Sequence, residues 1–152
     1  MGQIVFREAE AGDVGAVVAL LADDMLGSAR EEVSDPPLAA YLEAFEAMRA
    51  NPLDRLIVAD RDGAVVGCVQ LTVLNGLSRK GARRGLIEGV RVAASERGTG
   101  VGERMIRHVM DLAKNEGCRM VQLTTDASRT RAQAFYKRLG FVASHVGMKL
   151  EF

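Results

Sequence analysis

Ile87-Glu88-Gly89-Val90-Arg91-Val92, a short connector, and then Arg97-Gly98-Thr99-Gly100-Val101-Gly102 form the stretch on which the fold turns. An apolar, strand-like run leads into a turn with glycines at alternating positions, and a long amphipathic helix follows. Glycine allows close approach of a ligand to the backbone. The first-turn N–H groups of the next helix lack intrahelical acceptors and lie at the positive end of its dipole. Strand, glycine turn and helix N-terminus together make a candidate phosphate cradle. Taken alone, the hexapeptide also fits a glycine turn that binds nothing.

The spacing excludes two commoner cradles. A P-loop carries Lys-Ser or Lys-Thr after its last glycine, where this chain has Glu103-Arg104. A dinucleotide fingerprint spaces its glycines G-x-G-x-x-G, unlike Gly98, Gly100 and Gly102 here. Further along stands a second segment, Ala134-Phe135-Tyr136-Lys137-Arg138-Leu139-Gly140-Phe141.

In this order the segments resemble the GNAT superfamily of acyl-CoA N-acyltransferases. The first is similar to that family's pyrophosphate-binding motif, R/Q-x-x-G-x-G/A, and the second to its F-Y-x-x-L-G-F signature. The resemblance covers nearly the whole chain, from Ile4-Val5-Phe6-Arg7-Glu8-Ala9 to Met148-Lys149-Leu150. It implies acetyl-CoA as co-substrate, no metal, and a primary amine on a small molecule or peptide as acceptor. The amides of Gly98, Thr99, Gly100, Val101 and Gly102 would bind the pyrophosphate, with Arg97 adding charge. The main chain of Val90, Arg91 and Val92 would pair with the pantetheine arm as an added strand does. In the family this strand splays from its neighbour, often at a bulge, which Gly89 suits. A backbone N–H near Val90 or Val92 would polarise the thioester carbonyl.

The catalytic pair implied is Glu88 and Tyr136. Glu88, partly buried and so raised in pKa, would take the ammonium proton directly or through water. An ion pair with Arg84 or Arg91 is the alternative. Tyr136 would donate to the departing sulfur; the alternative is a core tyrosine on an amphipathic helix. Many relatives have an asparagine near the start of this helix, where Arg129 stands here and would reach a phosphate or an acidic substrate instead.

Composition sets the remaining bounds. The chain of 152 residues fits one domain, which the resemblance implies is a single N-acetyltransferase domain over residues 1–152, with 20 basic and 20 acidic residues in balance. That balance, few aromatics and no helix-turn-helix pattern argue against nucleic acid, despite Arg79-Lys80 and Arg83-Arg84 in one loop. No apolar run suits a spanning helix and no signal peptide is evident, so a cytoplasmic protein without membrane contact is expected. Cys68 and Cys118 read as free thiols in strands. His108 reads as a surface residue and His145 as a lesser candidate for substrate contact. Asp23, Asp24 and Glu31 fit either attraction of a cationic amine or a solvated acidic loop.

Periodicity predicts a strand at 3–7 and a helix capped by Asp13. It predicts a break at Gly27-Ser28, a helix after Asp35-Pro36-Pro37 and a hairpin through Asp60-Arg61-Asp62-Gly63. A loop at 75–84 leads to a strand at 86–92, a helix over 101–116, a strand at 120–125 and a helix over 130–139. Alternation of Val146, Met148 and Leu150 predicts a last strand. The order gives an α/β fold with a mixed, mostly antiparallel central sheet and helices on both faces; the splayed strand pair comes from the resemblance. Two functions fit: direct transfer in a ternary complex, with no covalent nucleophile beside a base, or a non-catalytic CoA-binding regulatory module. Relatives often form dimers, and the last strand would offer an edge for a homodimer.

Overall fold

A computed structural model describes residues 2–152. The elements are β1 (Ile4–Glu8), α1 (Val14–Ala22), α2 (Met25–Arg30), α3 (Ala39–Ala50), β2 (Asp54–Arg61), β3 (Ala64–Leu74), α4 (Ser78–Gly81), β4 (Arg83–Val92), α5 (Val101–Asn115), β5 (Cys118–Leu123) and α6 (Thr130–Arg138). Short 3-10 turns occupy Ala11–Asp13 and Ala94–Glu96. Two compact units result, one ending at Gln122 and the other running Leu123–Phe152.

The first unit is built on a five-stranded sheet in the order β1-β2-β3-β4-β5. Strands β1 to β4 pair antiparallel with their sequence neighbours. The β2–β3 turn follows from its sequence: Asp62 and Gly63 both have positive φ, and Asp60 accepts the Gly63 N–H at 2.7 Å. Helices cover both faces. Val17 and Leu20 of α1 pack on Val58 and Cys68, while Val14 and Val18 meet Phe45 of α3. On the other face Met105 of α5 lies where a Cβ on Gly67 would come within 3.3 Å of its sulfur. Val101, Met105, Ile106, Val109 and Ala113 form the buried stripe of α5. Each such larger side chain contributes about 1.5–3 kcal/mol by leaving water.

The structure corrects several local expectations. Asp13 stands at the N-cap of α1 as expected, but its side chain makes no capping bond to that helix; it ends the 3-10 turn, accepts the Glu10 N–H at 2.7 Å, and receives Arg7 at 2.7 and 3.0 Å. The arginine partnership holds the Asp13 carboxyl below the usual carboxylate range. Gly27-Ser28 is not a break but lies inside α2, because the Asp24 carboxylate accepts the Gly27 N–H and starts that helix. The loop 75–84 contains the single turn α4, with Arg79 and Lys80 left-handed.

The largest departure is at the end. No strand forms in 141–152, and Val146, Met148, Leu150 and Phe152 are 84%, 92%, 82% and 118% exposed. Alternation marks which side chains share a face; a strand also needs a ladder partner, and none is supplied here.

Candidate functional site

Strand β4 carries the first half of the site. Glu88 pairs with Gln70 and Arg91 with Cys68, so two residues of β4, Gly89 and Val90, stand against one of β3, Val69. Gly89 has φ of 61°, the left-handed conformation that a bulge of this type requires and that other residues resist. The Cys68 thiol donates to the Gly89 carbonyl at 3.4 Å from beneath the bulge. Burial pushes that thiol up to about 12, which makes it a poor nucleophile.

The bulge sets the side chains around it. Glu88 is exposed, not partly buried as expected, and neither arginine pairs with it. Arg84 donates to Gln122 Oε1 at 3.1 Å, and Arg91 Nε lies 3.2 Å from Asp24 Oδ2. Arg91 Nη1 also donates to the Val90 carbonyl at 2.9 Å. Its guanidinium is thus committed to the N-cap of α2, and its main chain pairs with Cys68 of β3. Val90 and Val92 are half-buried, consistent with apolar side chains facing in. At the start of β4 a Cβ on Gly85 would lie 3.2 Å from Val121 of β5.

The second half is the turn into α5. Gly98 and Gly100 have φ of 78° and 86°, and a Cβ on either would meet nothing within 4 Å. The glycines answer a conformational demand, and the turn opens to free space. Gly100 is the N-cap of α5, so the amides of Val101, Gly102 and Glu103 are the helix's orphan donors. Thr99 is already used: its N–H and its hydroxyl both donate to the Glu96 carbonyl, at 3.2 and 2.5 Å. Arg97 is exposed.

Glu96 and Arg61 are the pair that sequence reading missed. Glu96 is buried, and Arg61 of β2 grips both its oxygens, at 2.7 and 3.0 Å. The Arg61 hydrogen bonds hold the Glu96 carboxyl below the usual range. The pair fixes the connector immediately before the cradle. A glutamate just ahead of the glycines was the available signal; its partner, far away in sequence, carried none.

In the second unit, Tyr136 lies on α6, half-buried, edge-on to Phe135 at 5.2 Å and Phe141 at 5.6 Å between ring centroids. Arg129 is the N-cap residue of the same helix. His145 is exposed with Nδ1 at 2.7 Å from Ser144 Oγ. In the first unit His108 is half-buried and stacks on Phe6 with centroids 5.3 Å apart, unlike the solvated surface position expected. Of the acidic candidates, Asp24 serves the α2 N-cap, Glu31 accepts from Tyr41 at 3.0 Å, and Asp23 is exposed. Two surface hollows, one beside Phe45 and Met48 and one beside Gly12 and Pro37, hold none of the candidate residues. Among the described residues no helix is long and apolar enough to cross a membrane, and no His, Cys, Asp and Glu cluster has metal-binding form.

A model of the acetyltransferase (GNAT) family matches residues 17–141. The glucosamine 6-phosphate N-acetyltransferase 1 of Oryza sativa subsp. japonica is 32% identical over 132 residues, which is 84% of this chain and 78% of the rice protein. The glucosamine 6-phosphate N-acetyltransferase of Trypanosoma brucei brucei is 31% identical over 103 residues, 68% of each chain. Among solved structures, a transcriptional regulator from Bacillus halodurans C-125 superposes with a TM-score of 0.96 at 40% identity, over 99% of this chain and 100% of that one.

Proposed function

From the premise that the chain belongs to the GNAT acetyltransferase family and is an acetyl-CoA-dependent N-acetyltransferase, we propose that it moves the acetyl group to a primary amine by direct attack in a ternary complex. The observation that carries this reading is the open glycine turn at Gly98 and Gly100 capping α5. It presents orphan amides and a helix dipole to whatever fills the space, which suits a pyrophosphate. Arg97 adds positive charge to it. Residues 1–152 act as one catalytic domain in this reading.

The bulge supports the rest. By taking Gly89 and Val90 out of the regular ladder it would offer backbone N–H groups to the pantetheine arm, and an N–H near Val90 or Val92 would serve the thioester carbonyl. The amine nitrogen attacks that carbonyl, the C–N bond forms and the C–S bond breaks. Glu88, exposed beside the bulge and without an ion pair among the described residues, takes the ammonium proton directly or through water. Tyr136 gives its proton to the departing thiolate and recovers one from solvent. Arg129 contributes a positive charge near the cofactor or an anionic substrate. No covalent acyl-enzyme is required, which agrees with the inert, buried Cys68.

For the acceptor we favour a phosphorylated amino sugar, supported by the rice and trypanosome relatives at 32% and 31% identity. A second reading, a CoA-binding regulatory module without turnover, is favoured by one finding. The 40%-identical Bacillus structure is described as a transcriptional regulator. Calorimetric titration of acetyl-CoA and CoA into the wild type and Gly100→Asp tests the cradle. Thiol release with glucosamine 6-phosphate then separates the readings. Cofactor binding without release across an amine panel would favour the regulator; no cofactor binding by the wild type would sink both.

A further inference from the structure

Among the described residues Glu96 is the one charged residue that is buried, and it stands immediately before the glycine turn. Taking a carboxylate out of water is costly, and apolar residues of similar volume often stabilise a fold as well as a buried ion pair does. The charge is also badly placed for a turn that receives an anion. Its Oε2 lies 3.3 Å from the hydroxyl of Thr99, the residue between Gly98 and Gly100. A negative charge there opposes the binding of a pyrophosphate unless something cancels it.

Arg61 cancels it and does more. It is the last residue of β2, and its backbone pairs with Ile4 of β1 on one side and Ala64 of β3 on the other. The guanidinium is therefore carried by a firmly held part of the sheet. Its Nε and Nη2 donate to the two oxygens of Glu96 at 2.7 and 3.0 Å, and Nη1 donates to the Gly2 carbonyl. A forked grip of this kind fixes the direction of the carboxylate as well as its position. From Glu96 the hold passes to the turn, because its carbonyl accepts both the N–H and the hydroxyl of Thr99. The next residue, Gly100, opens α5. We propose that Arg61 and Glu96 are positioning residues for the cofactor's pyrophosphate. Arg61 ties the turn to the sheet through Glu96 and neutralises the one buried charge beside the cradle, and neither residue touches the ligand. The inference rests on the reading of the Gly98–Gly100 turn as the pyrophosphate cradle.

The test is calorimetric titration with acetyl-CoA, in which the stoichiometry counts folded protein and the dissociation constant reads the cradle. Arg61→Gln strands the Glu96 charge and should raise the dissociation constant by about tenfold or more. Adding Glu96→Gln to Arg61→Gln removes the stranded charge, so the double variant should recover part of the loss. Arg61→Lys returns the charge without the fork and should fall between the wild type and Arg61→Gln. An arginine that merely supports the fold would lower the stoichiometry, and the second substitution would return no affinity. Should Arg61→Gln fail to fold, Arg61→Lys carries the test, with weaker binding at full stoichiometry expected and an unchanged dissociation constant overturning the proposal. Wild-type affinity in Arg61→Gln, or a double variant that binds no better than Arg61→Gln, would overturn it equally. Those results leave the cradle itself standing, whereas a wild type that binds no acetyl-CoA would sink cradle and positioning pair together.

Discussion

Helices α5 and α6 are both amphipathic, but α5 buries Val101, Met105, Ile106, Val109 and Ala113 while α6 buries no residue at all. The same contrast separates the chain on either side of Ala113. Before it, two helical layers close over a sheet whose central positions, such as Val58, Val69 and Leu71, are wholly shielded from water. After it, Phe135, Tyr136, Leu139 and Phe141 reach only half-burial, and the apolar residues of 146–152 stand in solvent. A helical or alternating pattern states which face asks for cover. Whether the same chain provides that cover is a separate matter. The residues proposed for cofactor binding divide accordingly: the cradle sits on the well-packed side, whereas Tyr136 sits on the sparsely packed one.

The predictions probe that division, beginning with the largest effect. Gly100→Asp forces a side chain into a left-handed turn and sets a negative charge against the pyrophosphate. Calorimetry should show acetyl-CoA binding lost, by about 10²-fold or more, while far-ultraviolet dichroism is unchanged. Unchanged binding would show that the cradle is structural only. Tyr136→Phe should lower kcat by roughly 10²-fold and leave the acetyl-CoA dissociation constant as it is. If kcat holds, the sparsely packed side carries no proton in the reaction.

Stability measurements sharpen the comparison further. Ile106→Ala removes a fully buried side chain and should cost about 2–5 kcal/mol by urea unfolding. Asp13→Asn breaks the Arg7 pairing and should cost about 1 kcal/mol. Because the folded-state pKa of Asp13 is lowered, its contribution is present above the unfolded value near ~4 and is lost as pH falls through the folded one. The wild type should therefore lose stability faster than Asp13→Asn as the solution is acidified. At the small end, Val142→Ala on the exposed side should stay within about 0.5 kcal/mol of the wild type. A cost there as large as that of Ile106→Ala would end the contrast.

Much of the first unit was legible because its signals are local. Asp62-Gly63 dictates its own turn, and the α5 stripe announces a buried face. Gly89 marks a bulge because few other residues tolerate that backbone. The glycine turn was likewise readable as a left-handed turn, and it is open to free space. What escaped depends on pairing across the fold. Glu96 meets Arg61 through space, Arg91 chooses Asp24 over Glu88, and Asp24 starts α2 where Gly27 looked like a break. The last strand escaped for the opposite reason: its pattern is clear, but pattern cannot specify a ladder partner.

The extra residue in β4 makes that strand keep two different beats. Up to Ile87 the odd-numbered residues turn toward α5, as Gly85 does beside Ala113. Past Gly89 the beat slips, so that even-numbered Val92 takes that side opposite Gly67 and Arg91 takes the side of Cys68. Flattening the slip with every residue kept would restore a single beat and drive the Arg91 guanidinium toward Met105 in the dry interior, whereas deleting one residue there would leave Arg91 on the side of Cys68. At its present length the strand can lose its irregularity only by burying a charge, so the fold itself keeps the bulge there, whether or not a ligand ever arrives.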